Sequence, residues 1–188
     1  MPRKNTPTSS LLSRFRHWYA QLNPLLRFGI IFCLIFVPLD VLSITPWTEG
    51  PGEALLTAYA HLSNWALVLC GQDSHVVGTT ITGPWATISV FRGCDAIDPI
   101  LVLFAGILAY PSTWQRKLIG LLLGIPVLFL MNVVRILTLY LIKRKAPGLF
   151  EPMHLQIWPV VFVVLAGLLW LSWVRWALRK ERLRDVAA

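Results

Sequence analysis

Residues 118–142, LIGLLLGIPVLFLMNVVRILTLYLI, decide the fold class of this chain. The strongly polar members of this apolar stretch are Asn132 and Arg135. About 20 apolar residues in a helix are enough to cross the hydrocarbon core of a bilayer. The sequence therefore predicts a membrane-spanning helix here, with two polar side chains inside the span.

The composition supports a membrane protein. Hydrophobic residues make up 56% of the 188 residues and charged residues 14%, against roughly 45–50% and 25% in soluble domains. Nine Trp and nine Phe exclude a disordered chain. The net charge of +8 comes from basic residues beside apolar stretches. That arrangement is typical of membrane topology signals, and no nucleic-acid partner is expected.

Three further stretches are apolar enough to span the membrane, namely residues 25–43, 96–114 and 155–174. The segment 96–114 is less regular because it contains an aspartate and two prolines. Residues 1–24 form a basic tail before the first span, which favours an uncleaved signal anchor. Residues 41–43 faintly resemble a signal-peptidase site, so cleavage remains an alternative.

Residues 53–70 allow two topologies. Glu53, Thr57, His61 and Asn64 recur at helical spacing, which predicts an apolar helix with a narrow polar stripe. If this helix lies outside the membrane, twelve basic residues are cytoplasmic and four are external. If it spans the membrane, the numbers become nine and seven. Because basic residues concentrate on the cytoplasmic side, we predict four spans, cytoplasmic termini and an external helix.

A β-hairpin is predicted between that helix and the third span. Residues 75–82 and 86–91 are rich in Val, Thr and Ile and flank a Gly-Pro pair. Open strand edges are not tolerated in lipid, so the hairpin belongs outside. The predicted fold is one all-α membrane domain. It comprises a helical bundle over residues 25–174, the external helix, the hairpin near 75–91 and a second basic tail at 175–188.

Cys94 is the candidate nucleophile, because it follows the hairpin and precedes the third span. Asp95 is predicted to be the N-cap of the following helix. The helix dipole and Arg92 are expected to lower the pKa of the thiol. Two alternatives remain for this thiol, a small apolar packing role and a disulfide with Cys70.

Arg135 lies about 10 Å inside the end of its span, at 1.5 Å per residue. An ionised side chain at such depth costs at least about 2.5 kcal/mol unless it is partnered, so a functional role is expected. Asn132 lies one turn earlier on the same face and is predicted to hydrogen-bond it. The alternative is a structural ion pair with Asp40 or Asp98.

His154 stands before the last span, and chain direction places it at the same external level as Cys94 and Arg135. A thiolate, an imidazole and a guanidinium are the groups that covalent acyl transfer needs. An interfacial histidine without a catalytic role is the alternative. No metal-binding or cofactor motif is present in the sequence, and neither a metal nor a cofactor is expected.

These motifs resemble the exosortase and archaeosortase family of membrane transpeptidases, and the small size resembles the short exosortase H type. That family places a cysteine just before a membrane helix, an Asn-x-x-Arg motif on the next helix and a histidine before the following one. The matching positions, within roughly residues 60–175, are Gly93-Cys94-Asp95, Asn132-Val133-Val134-Arg135-Ile136 and His154. Ala96 departs from the pattern, because the family commonly has glycine there.

The resemblance implies a cysteine-dependent transpeptidase of the bacterial inner membrane, with its site toward the periplasm. Its substrates would be exported proteins that end in a short motif, a membrane helix and a basic tail. Cys94 would form a thioester, Arg135 would orient substrate or stabilise an oxyanion, and His154 would move the proton. The supporting residues would be Asn132, Asp95 and Arg92.

A competing hypothesis is a non-catalytic membrane assembly or transport subunit. In it, Asp40, Asp98 and Arg135 would form a buried polar network. Apart from membrane lipid and the exported substrate, the sequence indicates no partner. The recognition motif, the acceptor and the oligomeric state stay open.

Overall fold

The computed structural model describes residues 22–45 and 49–187. The long helices are α1 (Pro24–Ser43), α2 (Glu49–Leu69), α3 (Ile97–Ala109), α4 (Trp114–Lys145) and α5 (Trp158–Ala187). The strands are β1 (His75–Val77), β2 (Thr80–Thr82) and β3 (Thr87–Ser89). Between α4 and α5 lie a 3-10 turn (Pro147–Leu149), a helical turn (Phe150–Pro152) and a π-helical segment (Met153–Ile157). The predicted N-terminal tail, up to residue 21, lies outside the described residues.

Three helical segments within this part of the chain are long and apolar enough to cross a membrane: Pro24–Ser43, Trp114–Lys145 and Pro147–Lys180. They confirm the spans predicted at 25–43, 118–142 and 155–174, and with them the membrane helical bundle. The first begins where Pro24 occupies the first helical position and the Asn23 side chain accepts the Leu25 N–H at 3.0 Å. Both features are typical of a helix start.

The predicted fourth span is wrong in length. Helix α3 has 13 residues, about 20 Å at 1.5 Å per residue, whereas the hydrocarbon core is about 30 Å thick. It begins at Ile97, one residue after the predicted start, because Ala96 adopts a left-handed conformation (φ 57°). It ends at Ala109 because Pro111 disfavours helical geometry in the residues before it. Helix α3 nevertheless packs against α1, α4 and α5, at the centre of the bundle.

Two glycines allow α4 to approach its neighbours closely. A methyl group at Gly124 would lie 2.6 Å from the Leu103 side chain of α3. A methyl group at Gly120 would lie 2.5 Å from the Trp173 ring of α5. Small residues of this kind let membrane helices pack backbone to backbone. They hold α3 and α5 firmly on α4, the helix that carries Asn132 and Arg135.

The helix predicted over residues 53–70 is confirmed as α2, which is not among the three spanning segments. Its buried side chains recur at helical spacing and pack against α4 and the sheet; they are Leu56, Tyr59, Ala60, Ser63 and Leu67. The predicted polar stripe lies mainly on the other side, where Glu53 and His61 are exposed. Helix α2 is therefore an amphipathic support for the C-terminal half of α4.

The predicted two-stranded hairpin is a three-stranded antiparallel sheet in the order β1-β2-β3. The chain turns back between Val77 and Thr80 because Gly78 adopts a positive φ of 62°, a conformation that glycine accepts without steric cost. Ile81 and Ile88 are paired and buried in the core beside α2 and α4. The sheet thereby anchors the loop that carries Cys94.

Candidate active site

Cys94 lies on the loop between β3 and α3 and is only 6% exposed. Its Sγ is 3.0 Å from Nε2 of His154, a residue 60 positions later in the chain. Its own backbone N–H donates to the Phe91 carbonyl at 2.8 Å. The structure therefore brings together a thiol and an imidazole within hydrogen-bond distance, the contact that an activated cysteine nucleophile requires.

The loop around Cys94 needs unusual backbone conformations. Gly93 has φ 88° and Ala96 has φ 57°. The prediction that Asp95 is the N-cap is wrong, because Ala96 occupies that position. Asp95 still caps the helix in effect, since its Oδ1 accepts the Ile97 N–H at 3.3 Å. The positive φ at Ala96 is the conformation that suits glycine, the residue that the resemblance implies at this position.

His154 lies on the π-helical segment before α5. Its ring meets the Phe91 ring edge-on, with centroids 5.8 Å apart, and lies 5.6 Å from the Phe150 ring. Single π-helical turns are frequent at functional sites because they redirect side chains out of the regular helical spiral. The two aromatic rings hold the imidazole with Nε2 toward the thiol.

Arg135 reaches the same loop from α4 and is 5% exposed. Its Nη1 donates to the Gly93 carbonyl at 3.3 Å, and Nη2 lies 3.9 Å from Cys94 Sγ. The guanidinium also lies over the Phe162 ring, 5.7 Å from its centroid. Its Nε is buried and has no hydrogen-bond partner among the described residues.

The proposed alternative role for Arg135, an ion pair with Asp40 or Asp98, is not present. Within residues 22–45 and 49–187, the guanidinium contacts the Gly93 carbonyl, the Cys94 sulfur and the Phe162 ring instead. The positive charge therefore lies beside the nucleophile and not in a separate network of aspartates.

The helical spacing predicted that Asn132 hydrogen-bonds Arg135, and this prediction is wrong. Its Nδ2 donates to the backbone carbonyl of Cys94 at 2.7 Å, and the residue is fully buried. Spacing predicted the shared helix face, but the partner belongs to the loop that packs on that face. Asn132 thus holds the backbone of the candidate nucleophile.

The prediction that the pKa of the Cys94 thiol is lowered is also wrong. Burial raises the pKa of Cys94, and the Arg135 guanidinium offsets this only in part. Arg92, which was expected to lower the thiol pKa, is exposed. Its Nη1 donates to the Ser43 carbonyl at the end of α1, 3.2 Å away. Cys94 therefore rests as a neutral thiol, which needs a proton acceptor before it can attack.

A cavity of about 250 Å³ opens beside the site, between α3 and α5. Its polar lining includes Asp95, Asp98 and Arg135, and its apolar walls include Val102 and Phe162. Such a space, apolar with a few convergent polar groups, is typical of a substrate pocket. The smaller pocket that contains Cys94 and His154 has a volume of only about 30 Å³.

The remaining cysteines lie apart from this chemistry. Cys33 and Cys70 are exposed, and all three cysteines are free thiols. The suggested disulfide between Cys70 and Cys94 is not formed in the structure. In the described part of the chain, no group of three or more His, Cys, Asp or Glu side chains could hold a metal ion.

Three aromatic residues of the site were not singled out from the sequence: Tyr59, Phe91 and Phe150. Tyr59 lies beside Asn132, and the two phenylalanines flank His154. No sequence signal separates them from ordinary core aromatics, because an aromatic on the apolar face of a helix or next to a strand is most often packing. Their role is visible only from the contacts.

A family model described as transmembrane exosortase (Exosortase_EpsH) matches residues 20–171. The match covers most of the chain, so the protein belongs to the transmembrane exosortase family. Membership supports a membrane transpeptidase at the level of the family. No curated protein and no solved structure matches the chain.

Proposed function

We propose that the protein is a membrane-embedded cysteine transpeptidase that cleaves C-terminal sorting signals of exported proteins and transfers the proteins to an acceptor. The observation that carries the proposal is the 3.0 Å contact between Cys94 Sγ and His154 Nε2, with the Arg135 guanidinium next to the sulfur. Family membership supports the same class of reaction.

The reaction begins with proton transfer, because the buried thiol is neutral at rest. Sγ of Cys94 attacks the scissile carbonyl while Nε2 of His154 accepts the thiol proton. The carbonyl oxygen becomes an oxyanion, and the unpartnered Nε–H of Arg135 is the donor available to stabilise it. The Cys94 N–H is already bonded to Phe91 and contributes nothing here.

Collapse of the tetrahedral intermediate breaks the peptide C–N bond. The His154 imidazolium returns its proton to the leaving amine, and the retained substrate is held as a thioester on Cys94. An acceptor nucleophile then attacks the thioester carbonyl while His154 takes its proton, and the cysteine leaves and is reprotonated. The acyl group has moved from one nitrogen to the acceptor with no net redox change.

The proposed substrates are exported proteins with a short motif, a membrane helix and a basic tail at the C-terminus. The cavity of about 250 Å³ between α3 and α5 gives such a segment space beside Arg135, within the membrane-spanning bundle. The test is co-expression with a candidate protein of this tripartite form. We expect a shortened substrate on immunoblots, and a substrate of unchanged length across several such candidates would contradict the proposal.

Replacing His154 by Ala is expected to lower the cleavage rate about 10²–10⁴-fold, the usual contribution of a general acid–base group. The residual rate should then rise about tenfold per pH unit, because below the thiol pKa the thiolate fraction also rises about tenfold per pH unit. Burial raises that pKa, so the rise should continue well into alkaline pH. The measurement is the initial cleavage rate from about pH 6 to about pH 9.

The matched control for this variant is His75→Ala, which removes an exposed histidine of β1. It should keep the wild-type rate and pH profile. A His154→Ala protein with an unchanged profile would remove this histidine from the proton transfer.

The site is proposed to face the periplasm across a bacterial inner membrane, on the basis of the twelve-to-four distribution of basic residues. A variant that keeps only Cys70, an exposed thiol after α2, should react with a membrane-impermeant maleimide in intact spheroplasts. Arg182→Cys in a background without the native cysteines, exposed near the end of α5, should react only after permeabilisation. The opposite pattern would reverse the orientation.

A further inference from the structure

The thiol and the imidazole of the candidate site lie in a closed space. The pocket that contains Cys94 and His154 has a volume of about 30 Å³, which is space for a few water molecules at most. The thiol residue itself is only 6% exposed. A scissile carbonyl must come within about 3–3.5 Å of the attacking sulfur, and it brings its flanking residues with it. The substrate therefore reaches Sγ only if a wall of this pocket moves.

The larger cavity of about 250 Å³ does not give access to the sulfur by itself. Gly93 and Arg135 line this cavity, but Cys94 and His154 do not. The space that could hold a substrate segment and the reacting sulfur are therefore separate in this conformation. The structure shows a closed form of the site.

Most walls of the small pocket are fixed by core packing. Its lining from the sheet and α4 includes Ile88, Val90, Ile136 and Leu139, all of which are buried. Phe91 also lines the pocket, but this residue is 55% exposed. A half-exposed ring can rotate outward with a smaller loss of buried apolar surface than a buried side chain. Phe91 is therefore the wall that moves most easily.

The second aromatic wall, Phe150, is held more firmly. It packs against two hydrophobic clusters, one built around α2 and the sheet and the other around α3 and α5. Nζ of Lys143 lies over its ring, 4.9 Å from the centroid. Phe150 also belongs to the short helical turns that lead to His154, so a movement of this segment would take the imidazole away from Sγ.

Phe91 can move without disturbing the reacting groups. Its backbone carbonyl accepts the Cys94 N–H at 2.8 Å, and a rotation about the side-chain bonds leaves this hydrogen bond intact. The contact that such a rotation breaks is the edge-on contact with the His154 ring, with centroids 5.8 Å apart. Phe150 remains on the imidazole, with centroids 5.6 Å apart.

We propose that the Phe91 ring is a gate over the thiol and the imidazole: it lies against the His154 ring in the resting enzyme and swings outward to admit the scissile peptide to Sγ. The proposal rests on the proposed function, because it assigns the opening to a peptide substrate. The closed gate shields the nucleophile from other reagents until a substrate is bound.

The test is the alkylation rate of Cys94 in the full-length protein in membranes. Cys33→Ala and Cys70→Ala first remove the other two thiols, which are exposed. Two uncharged reagents of different size, iodoacetamide and N-phenylmaleimide, are compared in wild type, Phe91→Trp, Phe91→Leu and Phe91→Ala. Because a closed site reacts only through its open form, Phe91→Ala should accelerate alkylation by iodoacetamide about tenfold, and by the bulkier maleimide still more.

The size series separates a gate from a general loosening of the loop. A larger ring covers the thiol better, so alkylation should be slowest in Phe91→Trp and should become faster through wild type and Phe91→Leu to Phe91→Ala. A substitution that only loosens the loop would accelerate alkylation in Phe91→Trp as well. Both reagents attack the thiolate, so a change in its amount would leave the ratio of their rates unchanged. An unchanged ratio or an accelerated Phe91→Trp would overturn the proposal.

Trp85→Ala is the matched control. Trp85 is another exposed aromatic residue, 70% exposed, and it lies before β3, whereas Phe91 lies after it. Trp85 does not line the pocket of the thiol. Its removal should leave both alkylation rates within about twofold of wild type, the range usual for a surface substitution. A gain equal to that of Phe91→Ala would indicate a loosened sheet and would overturn the gate.

Substrate cleavage is the second readout. Because the larger ring opens less often, Phe91→Trp should lower kcat/KM about threefold or more, and an unchanged kcat/KM would overturn the proposal. Alkylation that follows the size series without any cleavage of substrate would leave the gate standing and refute the proposed function. Cleavage together with alkylation rates that do not depend on the side chain at position 91 would refute the gate and leave the proposed function standing.

Discussion

Replacing Cys94 by Ala is expected to abolish substrate cleavage while the protein still inserts into the membrane. The rate should fall by more than about 10³-fold, because no other group can form the covalent intermediate. The loss of one sulfur from the core cluster removes little packing, since the loop is also held by Asn132 and Arg135. Cys94→Ser should be inactive as well, because its hydroxyl is far harder to deprotonate than a thiol.

The measurement is the amount of shortened substrate at equal membrane levels of enzyme. Cys33→Ala and Cys70→Ala are the controls, since both remove an exposed thiol, and both should cleave at the wild-type rate. Full activity in Cys94→Ala would refute the cysteine mechanism.

Replacing Arg135 by Lys is expected to lower the cleavage rate about 10²–10³-fold, the usual cost of losing an oxyanion donor. Arginine presents its donors in a rigid planar fork, whereas lysine has a single ammonium group on a flexible stem. Here Nη1 holds the Gly93 carbonyl, Nη2 faces Cys94 Sγ and Nε is unpartnered. One ammonium cannot occupy all three positions.

Arg116→Lys is the matched control, because Arg116 is a second buried arginine of α4, far along the helix from the site. It should keep most of the activity. The two variants are compared at equal expression by initial cleavage rate. A fully active Arg135→Lys enzyme would show that only the positive charge is needed, and would assign Arg135 to structure.

Much of the architecture could be predicted from the sequence. Three spans were predicted at the positions of observed apolar helices, because length and hydropathy are local properties of a membrane helix. The last of these helices continues to Ala187, through the segment predicted to be a basic tail. Helix α2 followed from its 3.6-residue periodicity. The length of α3 was missed because the helix ends at Ala109, before Pro111. The third strand was missed because it depends on the positive φ of Gly78.

The candidate site could likewise be predicted from the sequence only in part. Residue type and order along the chain identified Cys94, Arg135 and His154 as candidates, and these side chains lie close together in the structure. The partners of Asn132 and Arg92 were predicted wrongly, because helical spacing and sequence proximity indicate which groups can meet, not which groups do. Tyr59 carried no signal, since its neighbour Asn132 lies on a different helix.

The sequence by itself determined that this chain is a membrane helical bundle and which three residues are suited to acyl transfer. Only the tertiary structure decided the state of the nucleophile. The thiol pKa depends on how much water the loop loses and on an arginine 41 residues away, and burial outweighs that charge. Desolvation and hydrogen-bond partners arise from packing between segments that are distant in the chain. They therefore cannot be predicted from composition and residue spacing.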